Sequence, residues 1–168
     1  MRATAAALLL VAFAAHLRAT VVRQELPPGY ERHYDSVVDA TTESLRLATD
    51  SGPVSVRIAV VYAGERREAC PRRVEVVIAS DGTLIGDART IELAVVLRVD
   101  GQPVTYGTHN VRDIATTNAV ALVFSYDEFL AIARAGTIDG EAFGMTFALR
   151  SEQLVALQVL AERWASVE

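Results

Sequence analysis

The chain has 168 residues, 51% of them hydrophobic, and a formal net charge of −5 at pH 7. Its 16 basic residues are all arginines. An acidic chain without a large basic cluster is not expected to bind nucleic acid or an anionic membrane surface, because both require clustered positive charge. The length suffices for one domain that buries a substantial core without disulfides.

The N-terminus has the pattern of a secretory signal peptide. Arg2 is followed by an uninterrupted small and apolar run from Ala3 to Ala15, which is shorter than the ~20 residues that span a bilayer. Small residues favour cleavage after Ala14 or Ala19, so residues 1–19 are predicted to be removed and the mature protein to be periplasmic or extracellular. The alternative is a buried N-terminal helix of a cytosolic protein. No later segment reads as a transmembrane span, so no integral membrane segment is expected after cleavage.

The mature chain is predicted to form a short arm followed by strands. Residues 20–36 are polar and contain Pro-Pro-Gly, which predicts an extended arm before a single β-rich domain over residues 37–168. Within that domain apolar residues recur at every second position, the period of a strand with one buried face. The clearest strand begins at Val54, and its alternate residues share one face: Val54, Val56, Ile58, Val60 and Tyr62. Further strands are predicted near 43–49, 74–78, 91–99, 103–106 and 120–126.

Turn signals predict antiparallel connections. Asp100-Gly101 supplies the positive φ angles of a tight hairpin turn. The early strands are too close in sequence for parallel crossovers, which need a dozen or more residues. A second hairpin is predicted across residues 137–150, turning near Gly144.

Two helices are predicted in the C-terminal third of the chain. Ser125 and Glu128 form a capping box that starts a short helix ending by Gly136. Ser151 is the predicted cap of the last helix. The apolar side of that helix carries Leu154, Leu157, Leu160, Ala161 and Trp164. The fold class is therefore mainly β (α+β): an antiparallel β-sandwich-like domain with one short helix and a C-terminal amphipathic helix packed on the sheet.

Three segments resemble an uncharacterised family of exported bacterial β-rich domains. They are YDSVVDATT (Tyr34–Thr42), the L-x-V-D-G-x-P turn (Leu97–Pro103) and FLAIARAGTIDGEAFGMTFALRSEQLVALQVLA (Phe129–Ala161). The resemblance implies a compact sandwich with a terminal helix, and it implies export. The resemblance implies no particular activity for this chain.

The loop predicted between Tyr106 and Asn118 holds the best candidate binding residues. His109 lies there with Tyr106, Asn110 and Arg112, and polar groups on a loop held by a rigid sheet are common in binding sites. The alternative is an ordinary exposed loop. Elsewhere, His33 and Asp35 form an H-x-D pattern, which is half a metal site, and nothing in the sequence supplies the other half.

Cys70 is a possible reactive thiol. It lies in a segment with four arginines, from Glu65 to Arg73, and positive charge stabilises a thiolate. Two glutamates offset half of that charge, and the alternative is a semi-buried thiol beside the start of a strand. A single cysteine cannot form an intrachain disulfide.

No catalytic, phosphate-binding or metal-binding motif is present, so neither enzymatic activity nor a cofactor is expected. The interpretation favoured by the sequence is a non-catalytic binding module whose partner is another envelope protein or surface component. The alternatives are a small-molecule or lipid carrier with an apolar cavity and, less favoured, an enzyme that uses His109 or Cys70.

Overall fold

Two antiparallel sheets and two helices make up the fold of the residues that the structure describes. The structure, a computed structural model, describes residues 25–80, 95–104, 109–111 and 118–166, with the backbone alone at 109–111 and 118. The predicted α+β, sandwich-like fold class is confirmed. The elements are β1 (Tyr30–Asp35), β2 (Ala40–Ala48), β3 (Val54–Ala63), β4 (Arg73–Ser80), β5 (Val96–Val99), β6 (Gln102–Pro103), β7 (His109–Val111), β8 (Asn118–Ser125), α1 (Tyr126–Ala133), β9 (Ile138–Ala142), β10 (Met145–Ala148) and α2 (Ser151–Ala165).

The larger sheet has the strand order β1-β2-β3-β4-β8-β7, and the smaller one β10-β9-β5-β6. Strands β1 to β4 follow one another as a meander, and every pairing in both sheets is antiparallel. The edges of the larger sheet are therefore β1 and β7 among the described strands.

The core lies on one face of the larger sheet, beneath the smaller sheet and the two helices. Strand β3 shows how the period of two produces it: Val54, Val56, Ile58 and Val60 are buried, whereas Arg57 is exposed on the opposite face. Each fully buried aliphatic side chain contributes about 1.5–3 kcal/mol relative to an exposed one. A cavity of about 20 Å³ remains inside this core.

The structure shortens the predicted N-terminal arm. Tyr30–Asp35 form β1, which pairs with β2 from Tyr30 opposite Leu45 to Asp35 opposite Ala40. Most side chains of β1 are exposed, because it is an edge strand, and its sequence therefore lacks the apolar alternation that marks β3 and β4.

The helix starts differ in how they are capped. At α1 the predicted capping box is confirmed: the backbone N–H of Ser125 donates to Glu128 Oε2 at 2.7 Å. The Ser125 hydroxyl donates to the same oxygen at 2.7 Å, and this hydrogen bond, followed by the one from the backbone, lowers the pKa of the Glu128 carboxyl. At α2 the predicted cap is one residue too late, because Arg150 is the N-cap and its N–H donates to the Gln153 side chain at 2.8 Å. The buried face of α2 is the predicted one.

Both predicted hairpin turns are present. Asp100 and Gly101 have φ values of 50° and 76°, and Phe143 and Gly144 have 57° and 72°. The strand predicted over 91–99 is described from Val96 onward, and its first part lies outside the described residues. None of the helices in the described ranges is long and apolar enough to cross a membrane.

Candidate functional site

The candidate binding loop of the sequence is only partly described. Residues 109–111 form the edge strand β7 rather than a loop, with His109 opposite Leu122 and Asn110 opposite Ala121 on β8. The loop prediction is therefore wrong for these residues, because a three-residue strand of mixed polarity shows no alternation. Tyr106 and Arg112 lie outside the described residues.

The H-x-D pattern lies in β1, at the opposite edge of the same sheet. His33 is opposite Thr42, and one carboxylate oxygen of Asp35 accepts a hydrogen bond from the Val37 N–H at 2.8 Å. Within the described parts of the chain, no three His, Cys, Asp or Glu residues are grouped so that they could hold a metal ion.

The turn between β1 and β2, residues 36–39, presents two valines to solvent. We call it the hairpin tip. Val37 is 91% exposed and Val38 67% exposed. The turn is fixed on both sides, since Asp35 accepts from the Val37 N–H and the Tyr34 hydroxyl donates to Asp39 Oδ1 at 2.9 Å. An apolar pair on a fixed turn loses little conformational freedom on contact with a partner.

The connection from β3 to β4, residues 64–72, adjoins the hairpin tip, and we call it the arginine loop. The Gly64 N–H donates to the Asp39 carbonyl at 2.8 Å, and the Thr41 hydroxyl donates to the Gly64 carbonyl at 2.6 Å. The Arg32 guanidinium donates to the Glu65 carbonyl. These hydrogen bonds join the hairpin tip and the arginine loop into one surface at this end of the sheet.

Arg67 connects the arginine loop to the C-terminal end of α2. It is only 2% exposed, and its guanidinium donates to three carbonyls at the C-terminal end of α2: Trp164 at 2.6 Å, Arg163 at 3.0 Å and Ser166 at 2.9 Å. A cation at this end satisfies carbonyls that have no partner within the helix and complements the helix dipole. No local sequence pattern indicates this role, because nothing in the sequence distinguishes Arg67 from its exposed neighbour Arg66.

Cys70 is exposed on the arginine loop, but its thiol has a partner. Sγ lies 3.4 Å from the Trp164 carbonyl, to which it donates. Nearby, the Tyr126 hydroxyl donates to the Ala161 carbonyl at 2.6 Å. Burial, and secondarily the neighbouring Cys70, raise the pKa of Tyr126 to about 12. One of the four arginines invoked for a reactive thiol, Arg67, binds the end of α2, and the reactivity of Cys70 stays a prediction.

Glu43 is a fully buried carboxylate beneath the same end of the sheet. Trp164 Nε1 donates to one oxygen at 2.7 Å, and the Tyr62 hydroxyl donates to the other at 2.8 Å. The Arg32 Nε lies 3.8 Å from the second oxygen. Because Glu43 is 0% exposed and both oxygens are engaged, it joins α2 to β2 and is not placed to act as a base on a substrate. No local sequence pattern indicates this role for Glu43.

A groove of about 610 Å³ runs along the arginine loop and the adjoining ends of β3 and β4. We call it the arginine groove. Val61 is 64% exposed on its wall, and Arg72 and Arg73 are exposed beside it. The full lining is Val61, Tyr62, Ala63, Arg67, Glu68, Ala69, Cys70, Pro71, Arg72 and Arg73.

Comparisons of the chain with protein-family models, with curated proteins and with solved structures found no match. The site is therefore interpreted from its own geometry.

Proposed function

We propose that this protein is an exported, non-catalytic binding module that recognises another envelope protein or surface component. The contact surface is the end of the larger sheet formed by the hairpin tip and the arginine groove. Export rests on the N-terminal sequence pattern, which lies outside the described residues.

The observation that carries the proposal is the exposure of Val37 and Val38 on a fixed turn. Single exposed apolar residues are ordinary on protein surfaces, but adjacent ones beside a groove are typical of interaction sites. Val61, 64% exposed, adds apolar surface on the groove wall. The hydrogen bonds of Asp35, Tyr34 and Gly64 hold this surface in one conformation.

The two alternative functions have less support from the geometry. An apolar carrier encloses its ligand in a cavity of ~300–1,000 Å³, whereas the cavity found in the described core has about 20 Å³. Two larger spaces, of about 510 and 610 Å³, are surface grooves with charged side chains in their lining. For an enzyme, Glu43 has both oxygens engaged and no exposure, and the Cys70 thiol donates to a backbone carbonyl.

Site-specific photo-crosslinking tests the proposal. Benzoylphenylalanine replaces Val37 in the full chain, which is expressed in the producing organism and irradiated in cells. We expect a discrete crosslinked product in the envelope fraction. The matched control replaces Val155, a valine on α2 that is 57% exposed and outside the proposed surface.

Equal crosslinking at Val37 and Val155, or none at either position, would contradict the proposed surface. A triple variant with alanine at Tyr106, His109 and Arg112 tests the competing loop. Loss of the Val37 crosslink in that variant, with an unchanged thermal midpoint, would move the contact to the segment around β7.

A further inference from the structure

The arginine groove combines two properties, positive charge and apolar surface. Arg72 and Arg73 are exposed and form no ion pair with any described residue. Arg66, on the same loop, is likewise exposed and without an ion pair within the described ranges. The chain as a whole carries a net charge of −5, so these three arginines form a positively charged patch on an acidic protein.

The acidic residues nearby do not cancel this charge through direct contacts. Glu68 lines the groove and Glu65 lies on the same loop, but no carboxylate in the described ranges is within 4.0 Å of Arg66, Arg72 or Arg73. Around the hairpin tip, Asp35 accepts a hydrogen bond from the Val37 N–H, and Asp39 accepts one from the Tyr34 hydroxyl. The three guanidinium groups therefore keep their donors available to a ligand.

Apolar contact is available within reach of the same arginines. Val61 is exposed on the outer face of β3, the face opposite the core, and Ala63 and Pro71 continue the lining. The hairpin tip adjoins the groove through the pairing of Ala40 with Ala63. A ligand seated here can therefore contact both guanidinium groups and short apolar side chains.

We propose that the arginine groove binds an extended, acidic polypeptide segment of the partner, with carboxylates on Arg72 and Arg73 and alternate apolar side chains against Val61. This inference rests on the proposed function and specifies its partner. An extended segment displays alternate residues on opposite sides, so carboxylates and apolar side chains can alternate along a groove whose lining holds both arginines and Val61. Guanidinium groups bind carboxylates with two parallel hydrogen bonds.

A polypeptide fits this groove better than a nucleic acid or an anionic membrane. Both of those present a high density of negative charge that an acidic molecule repels over long range. The aromatic side chain in the lining is Tyr62, and its hydroxyl is bound to Glu43. A short segment with a few carboxylates meets the local arginines without comparable repulsion.

Binding is measured by nuclear magnetic resonance with the 15N-labelled mature chain. The probe is an N-acetylated, C-amidated hexapeptide of alternating valine and glutamate, and the control peptide has lysine in place of glutamate. We expect amide shifts at Val61, Cys70 and Arg73 with the glutamate peptide, and weaker binding as salt is raised. The double variant Arg72→Glu/Arg73→Glu should weaken binding about tenfold or more, and the control variant Arg57→Glu, on the same face of β3, should bind like the wild type.

Several results would overturn the inference. These are equal shifts with the two peptides, undiminished binding to the double variant, or tighter binding to a duplex oligonucleotide or to phosphatidylglycerol vesicles. If the charge-reversal variant does not fold, the double variant Arg72→Gln/Arg73→Gln is used in its place, and it should also bind the glutamate peptide more weakly than the wild type. A Val37 crosslink without peptide binding would reject the acidic ligand and keep the proposed function. Peptide binding without any crosslink would keep the acidic ligand and reject the proposed function.

Discussion

Tyr126 shows how a single residue at the start of α1 depends on the end of α2. Its hydroxyl donates to the Ala161 carbonyl at 2.6 Å, and burial raises its pKa to about 12. The folded chain thus holds the phenolic proton more tightly than the unfolded chain, in which the pKa is about 10. The resulting stabilisation is fully present below pH 10 and is lost as the pH rises from 10 to about 12.

We therefore predict that Tyr126→Phe removes the component of the tyrosinate absorbance titration that ionises last. The variant should also lose less stability between pH 10 and 12 than the wild type does, as measured by urea unfolding. Tyr34→Phe, on β1 beside the hairpin tip, is the control and should leave that last component in place. An unchanged titration of Tyr126→Phe would show that another tyrosine ionises last.

Among single residues, the sequence was informative where a local pattern sufficed. Ser125 and Glu128 were recognised as a capping box because the two positions are three apart and bond each other. Arg67 and Glu43 have no such local pattern. Their partners on α2 are 97 and 121 residues away in sequence, and a local pattern carries no information about such contacts.

At the scale of elements, α2 is held at its C-terminal end by two polar anchors, Glu43 from β2 and Arg67 from the arginine loop. The apolar face of the helix provides most of its packing. The anchors determine where the helix ends on the sheet, because Trp164 meets Glu43 through its side chain and Arg67 through its carbonyl.

We predict that Arg67→Met destabilises the fold by ~2–3 kcal/mol, since it removes charged hydrogen bonds and leaves carbonyls without partners. Arg66→Met is the matched control, because Arg66 is exposed and adjacent, and it should change stability by less than ~0.5 kcal/mol. Urea unfolding followed by Trp164 fluorescence measures both variants. Similar values for the two would mean that the hydrogen bonds of Arg67 do not contribute to stability.

At the scale of the whole molecule, the described residues form one sandwich-like unit whose core joins both sheets and both helices. The hairpin tip and the arginine loop project from one end of its larger sheet. A rigid sheet that presents adjacent turns is a common arrangement for recognition.

Export is the prediction at this scale, and N-terminal sequencing of the expressed protein tests it. The first residue should be Ala15 or Thr20, because the apolar run is followed by small residues at two possible cleavage sites. Replacing Ala12 and Ala14 with bulky residues should abolish cleavage after Ala14 and leave the site after Ala19. An intact Met1 in the cytosolic fraction would contradict export.

The sequence by itself determined the strand and helix pattern, because side-chain alternation, turn residues and capping boxes act over a few neighbouring positions. It therefore predicted β3, the turn at Asp100-Gly101 and the buried face of α2. Only the tertiary structure decided that Tyr30–Asp35 form an edge strand, that His109 lies in β7, and that Arg67 reaches the end of α2. β1 and β7 pair with strands close in sequence but lack the apolar alternation of a strand with a buried face. The partner of Arg67 on α2 is 97 residues away, and the packing of the whole core brings the two together.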